Sequence, residues 1–262
     1  WWDADRPWWT NLSMHDHPWG VPLTQNLFMK IFGEDNFGFR LPSALLGIAS
    51  VYVLYRIGTI LYAEEVGLLA AGILAVTLNN VYISRIGMQE SYVIFAILLG
   101  FLYFLKSLKD PKYLLWVGII IGVGAEMKYT ALILVPVLVS YLLFFKRDYL
   151  RNRYFWLGIL AAMVLFSPTI IYNLELYRAT RHFDFQFSSI LGQRPDVWKV
   201  QPGKEIGGLD QRLADFIPRL IQSNSWLFLS LVALSAVAFL VLLFKNFKIV
   251  LKNNVFLLLV IG

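Results

Sequence analysis

Two histidines and an aspartate stand together near the start of the chain, in the stretch Met14-His15-Asp16-His17-Pro18. An aspartate beside imidazoles can act as a general base, hold a phosphate through a protonated histidine, or bind a metal ion. A polar turn before the proline explains the same residues without any chemistry, and the spacing alone favours that turn. No third strong ligand is near in sequence, so the zinc signal is weak.

Asp3 and Asp5 lie upstream of this stretch, among several tryptophans. A carboxylate there could bind sugar hydroxyls or a divalent cation beside stacking rings. A solvated loop is the simpler interpretation, and the residues alone favour it.

Cations and further carboxylates follow at the ends of later apolar segments. They are Arg40, Arg85, Glu90, Glu126 and Lys128. Their simplest role is to anchor helices at a membrane boundary, with Lys128 paired to Glu90 or to Glu126. As a group they could instead bind the phosphate of a lipid-linked substrate, since guanidinium groups match phosphate oxygens with two hydrogen bonds.

The elements that must position these residues are long apolar segments. Of the 262 residues, 58% are hydrophobic and 15% are charged, a balance too apolar for a soluble or a disordered chain. Apolar runs occupy residues 41–62, 66–84, 91–105, 113–127, 129–145, 154–173, 223–244 and 254–262. Several approach the roughly 20 residues that a helix needs to cross a membrane. Because no strand alternation is present, we predict an all-α, polytopic transmembrane helix bundle with seven spans and the start of an eighth.

The short loops between the runs indicate the orientation of this bundle. Lysine and arginine concentrate in the loops at 106–112, 146–153 and 245–252, which share one side if the spans alternate. The positive-inside rule makes that side cytoplasmic. The net charge of +6 then reflects the orientation of the chain in the membrane, and no nucleic-acid partner is predicted. All the candidate residues above fall on the opposite, extracytoplasmic side.

The chain divides into four parts on this topology. We predict a first extracytoplasmic loop with an interfacial helix at 1–40, a bundle of six spans at 41–173, a second such loop at 174–222, and further spans at 223–262. Because the sequence begins at Trp1 without a start or signal segment and stops inside an apolar run, we expect a piece of a longer protein.

Each predicted interfacial helix has one apolar face. The first carries Leu23, Leu27 and Ile31 on that face, turns Gln25 away from it, and is ended by Gly33. The second covers 209–217 and is expected to stop at Pro218. Both should lie flat on the outer leaflet.

Short motifs recur at the predicted outer loops. They are FGFRLPSAL at 37–45, SRIGMQES at 84–91 and GAEMKYT at 124–130, in addition to His17-Pro18 and Ser167-Pro168. Together they resemble the protein O-mannosyltransferase and aminoarabinose-transferase group of integral membrane glycosyltransferases, which have the GT-C fold. The likeness covers roughly residues 14–180.

The resemblance implies an enzyme that moves a sugar from a polyprenyl-phosphate donor to a protein, lipid or glycan acceptor. The implied place is the extracytoplasmic face of the plasma membrane, or the endoplasmic reticulum membrane of a eukaryote, where membrane lipid surrounds the enzyme. No nucleotide or organic cofactor is implied, and the sequence gives no support for a divalent metal, although the carboxylates are compatible with one.

The resemblance also assigns roles to the candidate residues. The family's first outer loop supplies a catalytic acidic residue, so Asp16 is the catalytic candidate. The family's Asp-Glu pair is absent here, and either Asp3 or Asp5 replaces it or it lies before Trp1. The doublet after Asp16 and His17 also departs from the family's two prolines, since it reads Pro-Trp. The expected substrate-binding residues are His17, Arg40, Arg85, Glu90 and Lys128.

Two other classes of protein compete with this interpretation. A transporter or flippase would place ionisable residues near the membrane midplane and show repeat symmetry. Here most charges lie at helix ends and no repeat is visible. A non-catalytic membrane scaffold would use the same charged residues only as anchors. The resemblance favours the glycosyltransferase.

Overall fold

A computed structural model describes residues 7–14, 17–193, 209–223 and 226–245. These residues are almost entirely helical, which confirms the predicted all-α bundle. The strands in the described part form one small antiparallel hairpin, β1 (Ser13–Met14) and β2 (His17–Pro18).

Twelve α-helices are found in the described part of the chain. They are α1 Gly20–Phe32, α2 Asn36–Leu61, α3 Glu64–Val76, α4 Leu78–Ile86, α5 Gln89–Ser107, α6 Tyr113–Met127, α7 Leu134–Phe145, α8 Arg153–Leu165, α9 Ser167–Thr180, α10 Phe185–Ile190, α11 Leu209–Ser223 and α12 Trp226–Lys245. Short 3-10 helices cover Trp8–Asn11, Tyr129–Ile133 and Arg147–Arg151.

The helices differ in whether they can cross a membrane alone. In the described ranges, α2 and α5 are long and apolar enough, while α3 with α4 and α8 with α9 form bent pairs of 58° and 54° that could each be one broken span. The predicted continuous runs at 66–84 and 154–173 are therefore interrupted. Thr77 is extended between α3 and α4, and Pro168, the second residue of α9, lacks the N–H that would continue α8.

The helices pack side by side in the order α3, α2, α5, α6 and α8. In this row α2 packs on α3 and α5, α5 packs on α6, and α6 packs on α8. Buried apolar side chains fill the contacts, with Val53 and Leu102 in one cluster and Phe104, Leu114 and Leu138 in another. Since α5 and α6 are antiparallel neighbours, Glu90 at the start of α5 and Lys128 after α6 come to the same end of the bundle.

Small residues bring α6 and α8 close together. A Cβ atom on Gly118 would lie 2.0 Å from the carbonyl oxygen of Gly158, and one on Gly122 would lie 2.9 Å from the Cα of Ala162. Each helix thus presents two small residues four positions apart, the spacing that permits close backbone contact between membrane helices.

We expect Gly118→Ala to destabilise the bundle by about 1–3 kcal/mol, because backbone atoms of α8 cannot move aside as a side chain could. Gly72→Ala is the matched control, since nothing lies within 4 Å of a Cβ at that helical position. The control should be neutral or gain up to about 1 kcal/mol from helix propensity. Thermal unfolding of both variants in detergent checks this, and equal stability would contradict the close packing of α6 and α8.

Large apolar side chains cover the outside of the bundle. On α8, Trp156, Leu160, Met163 and Val164 are exposed, and α12 presents a similar surface. In water such a surface would be a strong aggregation liability, whereas hydrocarbon solvates it. This surface is that of a membrane protein.

A helix is present at each of the two positions where an interfacial helix was predicted, with one difference in each. Gly33 ends α1 at a φ of +116°, as predicted, but Gln25 is buried and donates to the Gly87 carbonyl instead of facing away. The predicted stop at Pro218 is wrong, because α11 continues to Ser223. An ion pair of 3.0 Å between Asp215 and Arg219 spans the proline position and supports that turn.

Candidate functional site

An ion pair joins two of the predicted substrate-binding residues. The Lys128 ammonium lies 2.6 Å from the Glu90 carboxylate, and both side chains are partly exposed. Lys128 follows α6 in an extended conformation, whereas Glu90 lies in the first turn of α5. Of the two partners that the sequence allows for Lys128, the structure selects Glu90.

The β-hairpin brings His17 to the same place. Met14 pairs with His17 across the hairpin, and β2 packs on α6. The chain after β2 approaches the end of α6 so closely that a Cβ on Gly20 would lie 2.6 Å from the Glu126 carbonyl oxygen. His17 lies in the neighbourhood of the Glu90 carboxylate. Three of the five predicted binding residues therefore meet at one end of the bundle.

The turn before α5 determines where Glu90 stands. Gly87 closes α4 in the left-handed region, at a φ of +81°, which favours glycine. The Gln25 side chain of α1 donates to its carbonyl at 2.7 Å, and Ser43 of α2 donates to the Met88 carbonyl at 3.4 Å. The start of α5 is thus fixed by two other helices.

Glu126 has a different partner from Lys128. Its carboxylate accepts hydrogen bonds from the backbone N–H of Thr169 at 3.2 Å and from the Thr169 hydroxyl at 3.1 Å. Thr169 lies in the first turn of α9, where unpaired N–H groups and the helix dipole favour a negative charge. Glu126 therefore holds the end of α6 against the start of α9.

The sequence interpretation missed a buried carboxylate, which is bound by Tyr129, the residue after Lys128. Asp184 is fully buried and accepts hydrogen bonds from the Tyr129 hydroxyl, from the Asn173 side chain at 3.0 Å and from the Phe187 N–H at 3.0 Å. Its own N–H donates to the Asn173 side chain at 3.0 Å. Its position between Phe183 and Phe185 is the one sequence signal that hints at burial.

Arg40 and Arg85 stand apart from this cluster. Both are exposed, and within the described residues no hydrogen bond or ion pair joins either guanidinium to Glu90 or Lys128. Arg85 is in the last turn of α4, where the helix dipole favours a cation. Arg40 lies two helical turns before Gly47, which packs against Ser84 of α4. Arg85 therefore lies beside the contact between α2 and α4, and Arg40 lies about 10 Å from that contact along α2.

The catalytic candidates Asp3, Asp5 and Asp16 lie outside the described residues. Asp16 directly precedes His17, so the chain connects it to the cluster around Lys128. Within the described ranges, no group of three or more histidine, aspartate or glutamate side chains is placed to hold a metal ion.

The arrangement is suited to binding an anion. An ammonium has three N–H donors, and the Glu90 contact uses one of them. The Lys128 side chain is 25% exposed, so a ligand can reach the remaining donors. At the boundary of an apolar bundle, partial desolvation strengthens such a charge interaction.

Comparison with known proteins connects these residues to one family. The family model described as dolichyl-phosphate-mannose-protein mannosyltransferase matches residues 16–172, a range that contains His17, Glu90 and Lys128 and leaves out Asp3 and Asp5. No solved structure matches the chain.

Two curated relatives come from Bacillus subtilis (strain 168). "Putative mannosyltransferase YycA" is 31% identical over 141 residues, which are 53% of this chain and 21% of the relative. "Putative mannosyltransferase YkcB" is 24% identical over 174 residues, 64% of this chain and 24% of the relative. The chain spans about a quarter or less of each. Because the family model covers more than half of the chain, the protein belongs to the dolichyl-phosphate-mannose-protein mannosyltransferase family.

Proposed function

We propose that the protein is a membrane glycosyltransferase that takes a sugar from a polyprenyl-phosphate donor and passes it to a protein, lipid or glycan acceptor. The observation that carries the proposal is the Lys128 ammonium, held by Glu90 beside His17 at one end of the bundle. All three residues lie within the range matched by the family model. The family's name makes mannose the first sugar to test.

The proposed reaction is a displacement at C1 of the sugar. The acceptor hydroxyl oxygen attacks C1, the bond from C1 to the phosphate oxygen breaks, and its electron pair leaves with the phosphate. Lys128, with His17 beside it, stabilises the growing negative charge on that phosphate. The Asp16 carboxylate takes the proton from the acceptor hydroxyl. Attack opposite the phosphate inverts the configuration at C1, and no cofactor is needed.

The proposed topology places this reaction on the extracytoplasmic face, with residues 1–40 and 174–222 as the loops of that side. Support comes from the antiparallel packing of α5 and α6, which puts the lysines of the 106–112 loop at the far end from Lys128. The positive-inside rule then assigns the far end to the cytoplasm.

An apolar cavity supports a donor with a lipid tail. It has a volume of about 370 Å³ and lies between α6, α7 and α8. Along α6 it extends from Leu114 to Ala125, about 16 Å at the rise of a helix, and Phe166 and Ile170 line it near its outer end. Ala125 is three residues from Lys128. A chain whose phosphate binds Lys128 could therefore extend into this cavity.

We expect Val139→Phe to raise the KM for a long-chain polyprenyl donor by about three- to ten-fold, because the added ring occupies cavity volume needed by the tail. Val139 of α7 lines the cavity, whereas Val137 does not, so Val137→Phe is the matched control. A donor with a very short tail should show a smaller difference. Equal KM values for the two variants would contradict a tail site in this cavity.

The experiment that tests the proposed function uses membranes containing the full-length parent protein and labelled polyprenyl-phosphate hexoses, with mannose first. Release or transfer of the labelled sugar, above that of membranes lacking the protein, is the expected result. No turnover of any such carrier by a folded protein would overturn the proposal. It would shift the assignment to a transporter or flippase, which vesicle assays of lipid movement detect.

A further inference from the structure

Two residues that flank Lys128 in the chain are connected to α9, one directly and the other through Asp184. Glu126, two positions before it, is bound to Thr169 in the first turn of α9. Tyr129, one position after it, donates to Asp184, which is bound in turn to Asn173 of α9. Thr169 and Asn173 are four residues apart and so lie on one face of α9. We call Thr169 and Asn173, together with Asp184, which follows α9 and is bound to it, the α9 strip.

The α9 strip is buried and bound by several hydrogen bonds, whereas the segment that it holds is a break between helices. Thr169 and Asp184 are fully buried, and Asn173 is buried as well. Asn173 and Asp184 exchange two hydrogen bonds of 3.0 Å, while the Asn173 side chain also donates to the Thr169 carbonyl at 3.1 Å. The segment around Lys128 is instead a break, where α6 ends and one extended residue precedes a 3-10 helix.

A lysine at a break between helices can place its ammonium in many directions, because its side chain is long and has flexible torsions. Holding the residues on both sides removes backbone freedom at the break and leaves Glu90 to select the final direction. A preset cation stabilises charge on a ligand without the cost of reorganising first. The buried carboxylate of Asp184 is otherwise an expensive group to keep in an apolar bundle.

We propose that Asp184 is a positioning residue, which acts through Tyr129 to fix the Lys128 ammonium for the donor phosphate, with Glu126 and Thr169 doing the same from the other side. This inference rests on the proposed function and extends it to the loop after α9. It assigns no contact between Asp184 and the substrate.

The test is Tyr129→Phe in the full-length parent protein, which removes one hydroxyl and keeps the ring among its aromatic neighbours. Tyr149→Phe is the matched control, because the Tyr149 hydroxyl donates to the Ser107 and Leu108 carbonyls at the far end of the bundle. Steady-state kinetics with labelled polyprenyl-phosphate mannose give KM and kcat for each variant. Tyr129→Phe should raise the donor KM about three- to ten-fold, the scale of one lost hydrogen bond, while Tyr149→Phe leaves KM unchanged.

A purely structural role gives a different pattern. Loss of folded protein would lower the apparent kcat of either variant with no change in KM, and that result for Tyr129→Phe would overturn the proposal. A second readout is the combination with Lys128→Ala, in which Tyr129→Phe should have no further effect on the donor KM, since the group that it positions is gone. Additive effects would also overturn it.

Failure of the two proposals can be told apart. If the native protein turns over no polyprenyl-phosphate sugar, the proposed function fails and this inference fails with it. If the native protein is active and Tyr129→Phe keeps the native KM, only the positioning role fails.

Discussion

Replacing Lys128 by alanine in the full-length parent protein is expected to lower kcat/KM for sugar transfer by about 100- to 1000-fold, the loss typical of removing one donor from a charge-stabilising site. The reason is that Lys128 supplies the cation of this site: its ammonium pairs with Glu90, at the end of the bundle where His17 also lies. Transfer from a labelled polyprenyl-phosphate hexose, at matched expression, measures the loss.

Three further variants separate this role from a merely structural ion pair. Lys30→Ala removes an exposed cation from the same predicted face, and transfer should stay within about two-fold of native. Lys128→Arg keeps the charge and should keep more activity than alanine. Glu90→Gln breaks the ion pair but leaves the ammonium, so its loss should be milder, about ten-fold. If Glu90→Gln and Lys128→Ala lose equal activity, Lys128 serves the fold and not the phosphate.

The sequence offered two partners for Lys128 and did not decide between them. Glu126 is in the last turn of α6, whereas Lys128 is the extended residue after that helix, so helical spacing does not apply to this pair. The structure decides, since Glu126 is bound to Thr169 on α9 and Lys128 to Glu90 on α5. The apolar runs predict α2 and α5 well, because each is one long uninterrupted stretch.

Other features depend on contacts between residues that are far apart in sequence. Tyr129 and Asp184 are 55 residues apart, and no local pattern links them. Gln25 was expected to face away from the apolar surface of α1, yet it is buried because the carbonyl of Gly87, 62 residues later, requires a donor. The breaks at Thr77 and Pro168 are local, but hydropathy averaged over a window conceals them. The sequence therefore predicted the helices, while contacts such as those of Tyr129 with Asp184 and of Gln25 with Gly87 required the packed structure.

The largest remaining effect is expected from the proposed general base. Asp16→Asn keeps the shape of the side chain but removes the carboxylate, so kcat should fall by about 100- to 10,000-fold. The donor KM should change little, because proton transfer from the acceptor hydroxyl occurs only in the transition state. Glu34→Gln is the control, as it removes an exposed carboxylate from the same predicted face and should leave kcat unchanged.

Asp3→Asn and Asp5→Asn decide between the sequence alternatives for this base. Asp16 lies inside the range matched by the family model, directly before His17, whereas Asp3 and Asp5 lie outside it. We therefore expect Asp16→Asn to cause by far the greatest loss. A native kcat for Asp16→Asn with a large fall for either upstream variant would move the base to the tryptophan-rich stretch. Native activity in all three variants would exclude these aspartates as the base and leave Lys128 as the surviving part of the proposed site.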